Sequence, residues 1–196
     1  MSQISRARSG ASSETTVGVL FVCLGNICRS PAAEAVFTAK VKTAGLESKF
    51  RIDSCGTGGG SYNWYQDGGY SEHEGDLADG RMTAVASKRG ILLTSRSRPL
   101  VPTDFAAFDY IVGMDEFNMK AIHTAAVYWQ GRADGSKVPT DYKAKLSLMM
   151  SYCSQHTGST VPDPYYGGSA GFENVLDLLD DATTGLLKRV RADHSL

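Results

Sequence analysis

Charge of one sign is what this 196-residue chain most clearly lacks. Its 20 Lys and Arg stand against 21 Asp and Glu, a formal net charge of −1. That balance gives no electrostatic case for nucleic acid or an acidic membrane surface as a partner. Long apolar runs are also missing: none approaches the length of a membrane span, and no secretory signal is visible, so a cytoplasmic protein is expected. Cysteine is sparse too. The four, at positions 23, 28, 55 and 153, are irregularly spaced and do not read as a disulfide framework. They suit a reducing compartment, in which a reactive thiolate survives. A zinc site pairing Cys23 and Cys28 with Cys153 and His156 is disfavoured, because Arg29 would repel the cation. His73, His123, His156 and His194 show no ligand spacing and read as solvated or packing residues. No metal and no cofactor is called for.

What is present is concentrated in one stretch, Val19–Glu34, read as VLFVCLGNICRSPAAE. The run Val19-Leu20-Phe21-Val22 reads as a buried strand ending at Cys23. Leu24-Gly25-Asn26-Ile27-Cys28 is a short loop, and Ser30-Pro31 suits the first turn of a helix. Strand, tight loop and helix start form an anion cradle, lined by backbone N–H groups and the positive end of the helix. The helix end and Arg29 both favour thiolate over thiol at Cys23. The planar fork of Arg29 can grip two oxygens of a tetrahedral oxyanion. Cys23 would then lie under a bound phosphate, placed to attack phosphorus.

Around this stretch, residues 1–16 read as a disordered, Ser- and Arg-rich tail, with an organelle-targeting segment as the alternative. A helix from Pro31 to Ala44, with Ala35, Val36 and Ala39 on one face, should stop at Gly45. A second strand at 50–54 completes a βαβ unit. The glycine-rich stretch Gly56–Gly80 carries Tyr62, Trp64, Tyr65 and Tyr70, and is either a surface loop with packed aromatics or a rim shaping substrate access. Further on come a helix at 81–89, a strand at 108–114, a helix capped by Asp115, an exposed loop at 129–142, an ambiguous stretch at 145–150, and an amphipathic helix at 172–190.

The segment Cys23-Leu24-Gly25-Asn26-Ile27-Cys28-Arg29-Ser30-Pro31, with Asp163-Pro164-Tyr165-Tyr166-Gly167 far downstream, resembles the low-molecular-weight protein tyrosine phosphatases, over nearly the whole chain. The resemblance implies one α/β domain over residues 17–196: a four-stranded parallel sheet with helices on both faces, the phosphate-binding loop after the first strand, and a strand within 145–150. It implies hydrolysis of aryl phosphate monoesters through a cysteinyl phosphate, with phosphotyrosine proteins or small aryl phosphates as substrates and the protein acting as a monomer. Cys23 would be the nucleophile, Arg29 the phosphate grip, and residues 24–29 the binding loop.

Asp163, held between Pro162 and Pro164, is the candidate general acid and base. Tyr165 and Tyr166 would wall the pocket and serve as phosphorylation sites. The resemblance further implies a polar network of Asn26, Ser30 and Ser54, with Ser30 bonded to the thiolate. Cys28 lies close enough to Cys23 for a protective reversible disulfide. Two departures stand out: Ser95 where other members carry a network histidine, and Cys55 where a small alanine is usual. The Gly56–Gly80 connection is about a dozen residues longer than usual.

Three competing readings carry less weight. An arsenate reductase of the same fold needs a second cysteine pair, which Cys55 and Cys153 do not form in sequence. A protein arginine phosphatase carries threonine where Ile27 stands. A non-catalytic phosphate-binding module would not need Cys23, Arg29 and Asp163 together.

Overall fold

The computed structural model describes residues 16–132 and 138–196, so all of the proposed tail except Thr16 lies outside the described residues. The chain runs β1 (Val17–Cys23), α1 (Arg29–Thr43), β2 (Phe50–Gly56), α2 (Gly80–Lys88), α3 (Asp104–Ala107), β3 (Tyr110–Gly113), α4 (Glu116–Gln130), β4 (Leu146–Leu148) and α5 (Ser169–His194). All four strands are parallel, in the order β2-β1-β3-β4.

β1 is central and buried along its whole length, which explains its unbroken apolar run. Its alternation divides the core. Val17, Val19, Phe21 and Cys23 face a layer made by α1, α2 and α5, with Phe37, Met82, Phe172 and Leu179 prominent in it. Leu20 and Val22 face the layer of α3 and α4, with Phe105, Ile122, Ala125 and Trp129. The strand order reverses direction at β1, between β2 on one side and β3 on the other. In open parallel sheets ligands bind at the carboxyl ends of the strands beside such a switch point. Cys23 sits there, paired in register with Gly56 of β2.

Several sequence-based expectations need correcting. The buried face of α1 is Ala32, Ala33, Val36, Phe37 and Val41, whereas Ala39 is exposed. The helix ends one residue sooner, with Gly45 taking the positive φ of +68° expected just past a helix end. The 129–142 stretch is not simply an exposed loop. α4 continues to Gln130, and Trp129 and Tyr142 are buried in the second core layer, ring to ring with Phe105. The ambiguous stretch contains β4, only three residues long and flanked by 3-10 turns at Tyr142–Lys145 and Met149–Tyr152. α5 spans 26 residues and extends past both predicted ends. At Gly185 it passes so close to the Tyr152 carbonyl that a Cβ would lie 1.9 Å from that oxygen.

Candidate active site

The loop between β1 and α1 wraps around the Cys23 sulfur. Sγ accepts hydrogen bonds from the Asn26 backbone N–H (3.3 Å) and the Ser30 hydroxyl (3.0 Å). Asn26 takes a positive φ of 54°, an unfavourable turn for a non-glycine residue that its buried side chain over-determines. Asn26 Nδ2 donates to Ser30 Oγ (2.9 Å) and Ser54 Oγ (2.8 Å), and Oδ1 accepts from the Arg98 N–H (2.9 Å). The network goes one step further than the sequence indicated. Ser54 donates to Glu34 (2.6 Å), and Ser95 also acts on the Glu34 carboxyl. Burial, first of all, raises the pKa of Glu34, against the lowering effect of Ser54 and Ser95.

The loop's carbonyls are turned outward. Thr57 N–H bonds the oxygens of Cys23 (3.0 Å) and Leu24 (2.9 Å), Ser97 Oγ bonds that of Gly25 (2.9 Å), and Asp79 N–H bonds that of Ile27 (2.7 Å). Gly56 allows this close approach, because a Cβ there would lie 2.8 Å from the Leu24 oxygen.

Arg29, 3% exposed, is held from two directions. Nη1 donates to Asp115 Oδ2 at 2.6 Å and to the Val161 carbonyl at 3.2 Å, and Nη2 donates to Asp163 Oδ2 at 3.0 Å. Its Nε is buried with no hydrogen-bond partner among the described residues, a donor suited to a bound oxyanion. Burial opposes the charge on Arg29, but Cys23, Asp163 and Asp115 outweigh it and raise the pKa further. Asp115 was read from sequence only as a helix cap. It does cap α4, with Oδ1 accepting from the Asn118 N–H (2.7 Å), and its other oxygen anchors the arginine.

Asp163 reaches the site on a loop pinned by Val161, whose N–H bonds the Met114 carbonyl beyond β3. Its Oδ1 accepts from the Tyr165 N–H at 3.1 Å. Tyr165 is 38% exposed and Tyr166 95% exposed, so neither is a core residue. Their rings meet edge to face at 5.0 Å. Arg81 stacks on Tyr165, donates to its carbonyl (2.8 Å), and ion-pairs with Asp79 at the start of α2. A residue that no motif had singled out therefore ties the tyrosine loop to the phosphate loop.

Together these groups line a cavity of about 190 Å³, with Cys23, Arg29 and Asp163 inside, and Tyr165 and Tyr166 on one wall. Gly59, Glu72 and His73, from the long glycine-rich connection, form another wall. Of the two readings of that connection, packed aromatics are seen in Trp64 and Tyr65 against the body, while Glu72 and His73 line the cavity. His73 is half-buried and bonds Asp76 at 3.1 Å, in keeping with a partly solvated residue.

Cys28 also lines the cavity, and its thiol is pushed up to about 12 by burial and by the nearby charges of Asp79, Cys23 and Asp163. Cys55 is fully buried on the opposite face, where burial raises its pKa well above the usual value. Cys153 lies against α5, and His156 bonds Asp181 of that helix (2.9 Å). Among the described residues no group of three or more His, Cys, Asp or Glu side chains is arranged to hold a metal ion. No helix among them is long and apolar enough to cross a membrane.

Known proteins are similar to this chain in sequence and fold. The low molecular weight phosphotyrosine protein phosphatase of Schizosaccharomyces pombe is 41% identical over 89% of this chain and 97% of its own length. The human protein of the same name is 36% identical, over 83% of this chain and 88% of its own. The crystal structure of a protein tyrosine phosphatase from Entamoeba histolytica superposes with a TM-score of 0.76 at 39% identity, covering 91% of this chain and 99% of that one. The sequence profile of the low molecular weight phosphotyrosine protein phosphatases matches residues 18–196, and the chain is a member of that family.

Proposed function

We propose that the protein hydrolyses phosphotyrosine and related aryl phosphates in two displacements through Cys23. The observation that carries this reading is the buried Arg29 guanidinium, its Nε unpartnered among the described residues, lining one cavity with Cys23. A phosphoryl group in this cavity would meet the amides of residues 24–29 and the unpartnered Nε of Arg29, with phosphorus facing Sγ. Charge that builds on the equatorial oxygens meets fixed donors that need no reorganisation.

In the first step the sulfur forms the S–P bond while the aryl oxygen leaves with a proton from Asp163. Free tyrosine has a pKa near 10, so expulsion without that proton would be slow. In the second step Asp163, now ionised, takes a proton from water as the water oxygen attacks phosphorus and Cys23 departs as thiolate. Ser30, 3.0 Å from the sulfur, stabilises that leaving thiolate. Asp163 donates to neither oxygen while it sits on Arg29 Nη2. A phosphate entering the cradle competes for the guanidinium and frees the carboxyl to swing above the leaving group.

Tyr165 and Tyr166 offer faces on which an aryl ring can stack. Cys28 supplies a neighbouring thiol able to trap an oxidised Cys23 as a disulfide. The test is turnover of phosphotyrosine and p-nitrophenyl phosphate, with arsenate and reductant in a parallel assay. Hydrolysis of both esters without arsenate-dependent consumption of reductant is expected. Arsenate reduction, or phosphate binding without turnover, would overturn the reading.

A further inference from the structure

Tyr62 and Phe117 are large apolar side chains left 89% and 84% exposed, on separate elements, and both line one cavity of about 280 Å³. Neither belongs to the site described above. One wall of the groove is firmly packed. Its buried Trp64 meets Trp129 of α4 edge to face at 5.8 Å, and the Trp129 indole N–H donates to the Tyr65 carbonyl at 2.9 Å. Leu24 lines this groove and the catalytic cavity alike, so the two are separated by one half-exposed side chain of the phosphate loop. Lys120 is the one charged side chain among the described residues lining the groove.

We infer that this groove is a specificity subsite, which holds an apolar side chain of a phosphotyrosine peptide next to the phosphorylated residue. The inference rests on the phosphatase reading above. A peptide whose phosphotyrosine ring stands over Cys23 must leave the cavity across its rim. Glu72, His73 and Asp163 make parts of that rim polar and Tyr165 and Tyr166 wall another part, whereas the Leu24 side leads into the groove of Tyr62, Trp64 and Phe117. The groove is larger than the catalytic cavity and takes a leucine-sized group. The cation at Lys120 complements a substrate that is itself anionic. Preformed walls lower the ordering cost of binding there.

The test is a panel of phosphotyrosine peptides in a Gly-Ser background, with a single leucine moved from three residues before to three after the phosphotyrosine. It is assayed as kcat/KM beside p-nitrophenyl phosphate, which has no chain to pass Leu24. The parent protein should favour leucine at one position by about tenfold, as partial burial of one such side chain allows. Phe117→Ser and Tyr62→Ser should each remove most of that preference and leave p-nitrophenyl phosphate turnover unchanged. A flat panel with normal turnover, or variants that slow all substrates equally, would overturn the subsite while the phosphatase reading stands. Dimerisation abolished by Phe117→Ser, with peptide preference intact, would assign the groove to a second copy and overturn it too. No turnover of any ester would sink the phosphatase reading and this inference with it.

Discussion

One carboxylate, that of Asp115, serves two elements: Oδ1 caps α4 through the Asn118 N–H at 2.7 Å, and Oδ2 holds Arg29 Nη1 at 2.6 Å. The start of the helix after β3 thus fixes the Arg29 side chain at the start of α1. Asp115→Asn keeps an oxygen for the cap and removes the charge. It leaves a buried guanidinium short of a partner, and breaking a buried pair in this way costs about 3 kcal/mol or more. Urea denaturation should show that loss, and kcat/KM for an aryl phosphate should fall about 10²-fold or more as the fork loses its aim. Unchanged stability and rate in this variant would show that Asp163 and Val161 suffice to hold Arg29.

Cys23→Ser replaces a thiolate with a hydroxyl that is a weak nucleophile at its free pKa. Turnover should vanish while inorganic phosphate still binds, because the loop amides and Arg29 remain; calorimetry measures that binding. Arg29→Lys retains the charge but cannot make the bidentate grip, so the rate should fall about 10²–10³-fold. Measurable turnover in the serine variant would remove Cys23 from the mechanism.

Much of this was legible in the sequence because single elements carried it. The apolar run of β1, buried on both faces, can only be a central strand, and Cys23, Arg29 and Ser30 are fixed relative to it by covalent spacing alone. Asp163 was reachable through its Pro-Asp-Pro turn and the resemblance. The residues missed are those whose role depends on tertiary approach. Arg81 acts on Tyr165 across 84 positions, and nothing in the local pattern of α2 announces it. His73 and Glu72 lie in a connection without periodicity, so no rule could orient them toward the cavity. Trp129 was assigned to a loop because polar and glycine residues follow it, yet two aromatic contacts make it a core residue. β4 is too short, at three residues, for period-two alternation to register.

Glu34 lends the phosphate-loop network a pH signature. Its folded-state pKa is raised, with burial the leading cause, so folding favours its protonated form. The sign follows: the ionised carboxylate is a burden above that pKa, and the burden disappears at acid pH where both states are protonated. Glu34→Gln keeps an acceptor for the Ser54 hydroxyl and cannot ionise. The variant should melt higher than the parent at pH 7 and no higher at pH 4, by differential scanning calorimetry. A lower melting point at pH 7 would mean that the carboxylate's bond to Ser54 outweighs its desolvation.

Mild peroxide should inactivate the protein reversibly. Oxidation gives a Cys23 sulfenic acid, and Cys28 then attacks that sulfur, releasing water and forming the disulfide. The attacking species is the thiolate, which the high pKa of Cys28, about 12, keeps scarce at neutral pH. Disulfide closure should therefore accelerate as pH rises. Mass spectrometry after timed quenching measures it. Full recovery of Cys28→Ser from peroxide with thiol reductant would remove the protective role.

Asp163 is tested by the leaving group. In the structure its carboxyl accepts from Arg29 Nη2 and from the Tyr165 N–H, and Asp163→Asn can still accept at one oxygen while losing the proton. If Asp163 protonates the departing oxygen, phosphoenzyme formation should fall by about 10²–10⁴-fold for tyrosine phosphate. The fall should be much smaller for an activated phenol of low pKa, whose anion leaves unaided. Burst kinetics separate this step from hydrolysis of the intermediate, which should slow for every substrate because water loses its base. A Brønsted plot of the first step against leaving-group pKa should therefore steepen in the variant. Parallel plots for parent and variant would mean that Asp163 only shapes the loop and steadies Arg29. The proton would then have to come from another group on the rim, and His73, which lines the same cavity, is the one to replace next.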